Sequence, residues 1–338
     1  MSNTMGARRR HFTTTIDYLD HPQFAARATL IHRPKTNTLR DGLRIAAGVL
    51  KAAVRHQPLL LTSSWGNIHP DLLASAIIGL WPRRLRPTIV LMGCMWEPTG
   101  GWRGRMERLL VRLADRAITR YAVQSTAELT LFPQTWGIDP AKLHRCLYFY
   151  TIDPDDIVPE PRQIAGSGHV FAGGNAQRDY APLLEAARRL PHIPFVFATK
   201  LLDGQPLPTN VTAGQVPHQQ FMELLQTAVA NIVPIRHGLH RAAGQQTYLN
   251  SMWLGVPTVV ADSPGVADHI QHQQTGLVVN NTPAAYVQTI EWLLAPENQP
   301  QIAAMTRAAR HAVDSQFSFT HHVDCILAIM DDVLAIGN

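Results

Sequence analysis

Cysteine is scarce: Cys94, Cys146 and Cys325 lie far apart and form no CxxC pair. That spacing argues against a zinc site or a disulfide framework and for a reducing compartment. Long apolar runs are missing too. The longest resemble "LLASAIIGLW" from Leu72, well short of the ~20 residues that span a bilayer. Arg8, Arg9 and Arg10 lead into no apolar stretch, so no signal peptide is expected. Charged residues are few, 16% of 338 against 46% hydrophobic, which excludes a disordered chain and leaves room for two ordinary cores. The net charge of +5 suits an anionic ligand or an anionic membrane surface. Nucleic acid ranks last as a partner, because no recognised binding motif accompanies the charge.

What is present is alternation. Short apolar runs and longer helix-like stretches follow one another, the pattern of parallel α/β domains. "QPLLLTSS", "PTIVLMGC" and "RAITRYAV" read as strands, and "HPDLLASAIIGLW" reads as a helix. Ser125-Thr126-Ala127-Glu128 is a capping-box sequence that should open a helix ending near Gly137. Between Asp153 and Gly168 the chain turns polar and rich in proline and glycine, the best domain boundary available. A second series then runs "HVFAGG", "DYAPLLEAARRL", "IPFVFAT", "QQFMELLQTA", "VANIVPI", "PTVVAD" and "TGLVV".

The second series carries most of the chemistry. Gly173 and Gly174 end a strand just before a helix, where glycine lets a phosphate approach the backbone. A purely steric need for glycine at such a turn is an equal reading. Arg178 follows within reach of phosphate oxygens. In "GQQTYLNSMWLGVPTVV", Gly244, Gln245, Gln246 and Thr247 should present unpaired N–H groups at a helix start. Leu249, Met252 and Trp253 should be buried, with Gly255 as the C-terminal cap. Arg236, His237, His240 and Arg241 stand in the loop before it, as anion ligands or as solvated loop residues.

The order of these elements resembles the nucleotide-sugar-binding domain of retaining GT-B glycosyltransferases. "LNSMWLGVPTVVADSPGVADHIQHQQTGLVV" is similar to that family's signature from Gly244 to Val279, and the likeness is fair around Phe171 to Tyr180. In the first half it rests on "ADRAITRYAVQSTAELTLFPQTWGIDPAKLHR", after which "YFYTID" replaces the family's usual proline-asparagine-glycine turn. The resemblance implies that Gly173, Gly174 and Arg178 meet the diphosphate and that the backbone at Gly244 to Gln246 meets its distal phosphate. It also implies that Asn250 stands where a glutamate accepts from the ribose hydroxyls, and Ala242 where a first acid meets the donor sugar. Asn250 could still hold the ribose, but an amide offers one acceptor and a donor and alanine offers nothing, so donor recognition is altered or supplied from elsewhere. Asp268 keeps an acid at a glutamate position, with capping of a helix turn as its other reading.

In such a fold the first domain takes the acceptor. His69 and Glu97, at strand ends, are the candidates for acid, base or orienting residue. Trp65, Trp96 and Trp102 could stack on a sugar or fill the core. Arg105, Arg108, Arg112 and Arg116 recur at helical spacing, with Met106, Leu109, Leu110 and Leu113 expected largely on the opposite side. With Arg83, Arg84 and Arg86 they suit an anionic membrane surface, or merely a solvated helix face.

The expectation is therefore an α/β protein of GT-B class: two Rossmann-like domains facing each other across a cleft. The first spans 1–155 and the second 165–315, with a helix over about 318–338 packing back on the first. The expected activity is cytoplasmic sugar transfer from a nucleoside-diphosphate sugar to a small-molecule, glycan or lipid-linked acceptor, with retention and without metal or cofactor. The rival is a GT-B-like subunit that has lost catalysis and serves as a partner or scaffold.

Overall fold

A computed structural model describes residues 11–32, 38–62, 69–94, 96–157 and 168–336. The chain divides into two compact units, one up to Leu147 together with Thr320 onwards, the other Tyr148–Phe319. Unit one runs β1 (Phe12–Thr14), α1 (Pro22–Ala25), β2 (Ala28–Leu30), α2 (Leu39–Val54), β3 (Leu59–Thr62), α3 (Pro70–Gly79), β4 (Ile89–Met92), α4 (Gly101–Asp115), β5 (Arg120–Val123), α5 (Glu128–Trp136) and β6 (Leu143–Arg145). Unit two runs β7 (Val170–Gly173), α6 (Ala181–Arg189), β8 (Phe195–Ala198), β9 (Val211–Gly214), α7 (His218–Gln226), β10 (Ala230–Val233), α8 (Gln245–Trp253), β11 (Thr258–Ala261), β12 (Leu277–Val279), α9 (Pro283–Leu294) and α10 (Gln299–Gln316). Helix α11 (Phe319–Ile336) returns to unit one.

Each unit holds one six-stranded sheet whose described pairings are all parallel. Helices cover such sheets, so their strands read as unbroken apolar runs, as Leu59–Leu61 and Ile89–Met92 do. The order in unit one is β2-β1-β3-β4-β5-β6, and in unit two β12-β11-β10-β7-β8-β9. Both orders reverse direction once. In unit two the reversal falls between β7 and β10, and the crevice beyond the carboxyl ends of those two strands is where such sheets take ligands.

Local chemistry explains several boundaries. Glu128 N–H donates to Ser125 Oγ at 3.2 Å while Glu128 Oε2 accepts from Gln124 N–H at 2.9 Å, reciprocal bonds just ahead of α5, whose own N-cap Ala127 makes no side-chain bond. Gly137 ends α5 at φ +71, a conformation only glycine adopts freely. Helix α11 is tied into unit one by the Arg27–Asp331 ion pair, by His21 Nε2 3.5 Å from Asp324, and by buried Val323, Ile326 and Met330.

Helix α4 departs from the sequence reading. Its buried residues are Gly104, Val111 and Ala114, while Met106 and Leu109 face solvent beside Arg105, Arg108, Arg112 and Arg116. The reason is close backbone packing. A Cβ on Gly104 would stand 1.9 Å from Thr99 O, and one on Gly79 of α3 would stand 1.8 Å from Leu113 O. Small residues make the inward face, so two large apolar ones are left outside.

Candidate functional site

The loops after β7 and β10 are laced together at the reversal point. Asp179 N–H donates to Pro234 O at 2.9 Å, and Arg236 N–H donates to Gln177 O at 3.1 Å. Arg236 Nε also donates to Gln177 Oε1 at 2.6 Å, so this arginine is committed to the lacing. Gln177 reaches these contacts from φ +58.

Arg178 lies inside the lacing. Its Nη1 donates to Ala176 O at 3.0 Å and its Nη2 to Thr247 Oγ1, in the first turn of α8, at 3.2 Å. Its Nε is buried and has no hydrogen-bond partner. The charges acting on it come from tyrosines Tyr180, Tyr248 and Tyr286, with no carboxylate among them. Burial lowers its pKa, yet a guanidinium stays protonated. A cation in that position, with no counter-ion among the described residues, lies beside the helix end that favours anions.

Two glycines make the space around it. Gly174 sits at φ +106, and a Cβ there would come within 3.3 Å of Arg178 Nη2. Gly244, at φ +76, would bring a Cβ within 3.3 Å of Arg178 Nη1 and 3.0 Å of Val233 Cγ1. The helix that follows leaves the N–H groups of its first turn without intrahelical acceptors, since Tyr248 N–H is the first to return to Gly244 O. Tyr180 closes the floor, its hydroxyl donating to Gly174 O at 2.8 Å. Burial pushes Tyr180 up to about 12 while the Arg178 charge pulls the other way, so it stays a donor.

The other sequence candidates separate. Gly173 has a packing role: a Cβ there would strike the Phe221 ring at 2.3 Å. His237 is exposed, whereas Arg241 is buried and turns its Nη1 onto Ala242 O at 3.0 Å. Ala242 is itself buried. Asn250 and Gln246 both meet Thr151 in the stretch "YFYTID": Asn250 Oδ1 accepts from Thr151 N–H at 2.8 Å, and Gln246 Nε2 donates to Thr151 Oγ1 at 2.7 Å. Thr151 and Gln177 went unnoticed in the sequence. The one signal for Thr151 was that its turn departs from the family pattern.

In unit one, His69 precedes α3 in the left-handed region at φ +43 and is half-buried. Glu97, also half-buried, follows β4, the neighbour of β3. Trp96 belongs to the core, with Phe132 at 5.8 Å and Trp136 edge-on at 6.0 Å. Trp102 is 66% exposed, and Trp65 lies outside the described residues. No cluster of three or more His, Cys, Asp or Glu among the described residues is arranged to hold a metal ion.

Residues 200–296 match the family model described as glycosyl transferases group 1. No curated protein sequence matches. Among solved structures, the chain is similar to a glycosyltransferase from Rickettsia africae at 13% identity and TM-score 0.64, covering 95% of this chain and 89% of that one. HepE from Anabaena, solved with UDP, gives 16% identity and TM-score 0.64 over 94% and 88%. Sucrose-phosphate synthase from Thermosynechococcus elongatus gives 11% and 0.66 over 91% and 84%. The matched segment holds α8, and the strand order behind it is that of dinucleotide-binding folds. By that segment the chain is similar to group 1 glycosyl transferases, and by its two parallel six-stranded sheets it shares the fold of the solved GT-B structures.

Proposed function

We propose that the chain moves a sugar from a nucleoside-diphosphate sugar to an acceptor, retaining anomeric configuration and using no bound metal. The observation that carries this reading is the partnerless Nε of Arg178, a buried cation between Gly174 and Gly244 at the start of α8. The diphosphate is its missing counter-ion. Negative charge grows on that diphosphate as the glycosidic bond breaks, and Arg178 together with the α8 N–H groups stabilises it in place of a metal. Anabaena HepE has been solved with UDP and with UDP-glucose, which supports a uridine nucleotide as the first to try. His69 and Glu97 remain the acceptor-side candidates for proton transfer or orientation.

The acceptor we infer is lipid-linked, reached from the cytoplasmic face of a membrane. Supporting it is the solvent side of α4, where Trp102, Met106 and Leu109 are 66%, 57% and 51% exposed beside Arg105, Arg108 and Arg112. Among the described residues no helix is long and apolar enough to cross a membrane.

One observation favours the rival reading, a GT-B subunit without catalysis. Ala242 is buried without a polar side chain, and the Asn250 amide is engaged with Thr151, so neither acidic contact of the family has an evident substitute. Thermal shift with UDP, GDP, ADP and dTDP, followed by assay of hydrolysis of the matching sugar conjugate, separates the two. Stabilisation by one nucleotide with turnover supports transfer. Stabilisation without turnover supports the rival, and no response to any nucleotide removes the transferase reading and leaves the scaffold reading ahead.

A further inference from the structure

Two of the widely spaced cysteines meet in unit one. Cys146 follows β6 directly, Cys325 lies in the second turn of α11, and each thiol touches the backbone next to the other, Cys146 at His322 O and Cys325 at Arg145 O. Cys146 is buried, with its Sγ 3.5 Å from His322 O and 3.5 Å from His322 Nδ1. Cys325 is half-exposed, and its Sγ lies 3.5 Å from Arg145 O. We propose that Cys146 and Cys325 form an oxidative modification site, a dithiol that a peroxide converts to an intrachain disulfide between the end of β6 and α11.

The geometry assigns the two roles. His322 Nδ1 is 2.8 Å from Leu147 O, a group that only accepts, so this nitrogen carries the ring hydrogen and cannot take a proton from Cys146. The other nitrogen faces the Tyr18 hydroxyl at 3.2 Å. Burial holds His322 down to about 4, so the ring is neutral and offers Cys146 no cation. Cys146 therefore stays a thiol and donates to His322 O. The neighbouring Cys146 thiol, helped by the Arg145 charge, lowers Cys325 below an ordinary thiol against the pull of burial. Cys325 is the accessible partner and the nucleophile.

The chemistry balances with hydrogen peroxide as the oxidant. The Cys325 thiolate attacks one peroxide oxygen, the O–O bond breaks, hydroxide leaves and takes up a proton, and Cys325 becomes a sulfenic acid. Cys146 sulfur then attacks that sulfenic sulfur, the S–O bond breaks, and a second water departs with the Cys146 proton. Two thiols and one peroxide give one disulfide and two waters. The bond would close the loop that contains all of Tyr148–Phe319, and so lock α11 to the point where the chain leaves unit one.

The test uses the full chain, reduced, freed of reductant and treated with hydrogen peroxide. Thiols are counted under denaturing conditions and the peptides mapped without reduction. Two of the three thiols should disappear, a Cys146–Cys325 peptide pair should appear, and dithiothreitol should reverse both. Cys146→Ser should leave Cys325 as a sulfenic acid that dimedone traps, and Cys94→Ser should behave as the unaltered chain. Retention of all three thiols, pairing through Cys94, or disulfides only between chains would overturn the proposal. The peptide map of the unaltered chain decides the matter even if a variant fails to fold.

Discussion

The side-chain amide of Asn250 holds the backbone of Thr151, accepting from its N–H at 2.8 Å and reaching its hydroxyl through Nδ2 at 3.4 Å. Neighbouring contacts press the same segment onto α8. Tyr150 stacks on Trp253 at 5.5 Å and 23°, and the Arg310 guanidinium lies 3.7 Å from the centre of that indole. Asn250 thus has a structural task where the family places a ribose ligand, and an amide oxygen satisfies an N–H that would otherwise be orphaned.

Replacing it tests that task directly. Asn250→Ala should lower unfolding stability by about 1–2 kcal/mol, the cost of leaving a half-buried N–H without its acceptor. Asn250→Asp keeps the acceptor and should stay within about 1 kcal/mol of the unaltered chain. Urea unfolding of both variants measures the difference. Equal losses would mean that the Thr151 bond contributes nothing.

Arg178→Ala should separate binding from folding. Most losses of a buried side chain destabilise, but this one also removes a desolvated charge that has no carboxylate partner. The ligand-free melting temperature should therefore move by only a few degrees, while nucleotide affinity falls about 10–100-fold with the charged hydrogen bonds. Calorimetric titration with UDP reads the second number. A large fall in the first with no change in the second would make Arg178 a packing residue.

The contrast between these two residues explains what a reader of the sequence can and cannot see. Arg178, Gly174, Gly244 and Gly255 act through rules of local backbone geometry, so a strand followed by glycine and a helix start reveals them. The Asn250–Thr151 bond joins residues 99 positions apart through a main-chain N–H, which no residue type advertises. Cys146 and Cys325 are hidden in the same way. Helix α4 misleads for another reason: periodicity assumes that large apolar residues turn inward, whereas here Gly104 and Ala114 do, and Met106 and Leu109 are left outside. The strands were plain because burial on both faces demands continuous apolar runs.

Gly174→Ala should impair the site without unfolding it. The residue sits at φ +106, outside the regions open to L side chains, and its new methyl would press on Arg178 Nη2. The strain should cost about 1–3 kcal/mol of stability. Displacement of the guanidinium should weaken UDP as well. Gly204→Ala, at φ +73 with nothing near its Cβ, is the control that carries strain alone. Nucleotide affinity should fall for the first variant and hold for the second.

Acid should weaken unit one through His322. Burial lowers its pKa to about 4 in the folded chain, against an ordinary value near 6.5. Between those values the unfolded chain binds the proton and the folded chain does not, so stability declines as pH falls from about 6.5 to about 4 and levels off below. The full difference is about 3 kcal/mol. His169 and His269, also lowered by burial, weaken unit two in the same direction. Urea midpoints at pH 7.5 and 5 should differ less in His322→Gln than in the unaltered chain.

The exposed side of α4 should bind anionic vesicles by two separable contributions. Arg105, Arg108 and Arg112 supply charge, worth about 1 kcal/mol each near an anionic surface and fading within a Debye length. Trp102, Met106 and Leu109 supply apolar contact that salt does not screen, and Arg103 lies 5.7 Å from the centre of the Trp102 ring. Replacing the three arginines by glutamine should therefore reduce co-sedimentation with phosphatidylserine vesicles by about 100-fold at low salt, and far less at high salt. Trp102→Ala should cause a smaller loss that is the same at both. Nucleotide binding should be untouched in all of them, because the donor contacts lie in the other unit. Equal binding to neutral and anionic vesicles would reduce the arginines to solvated surface.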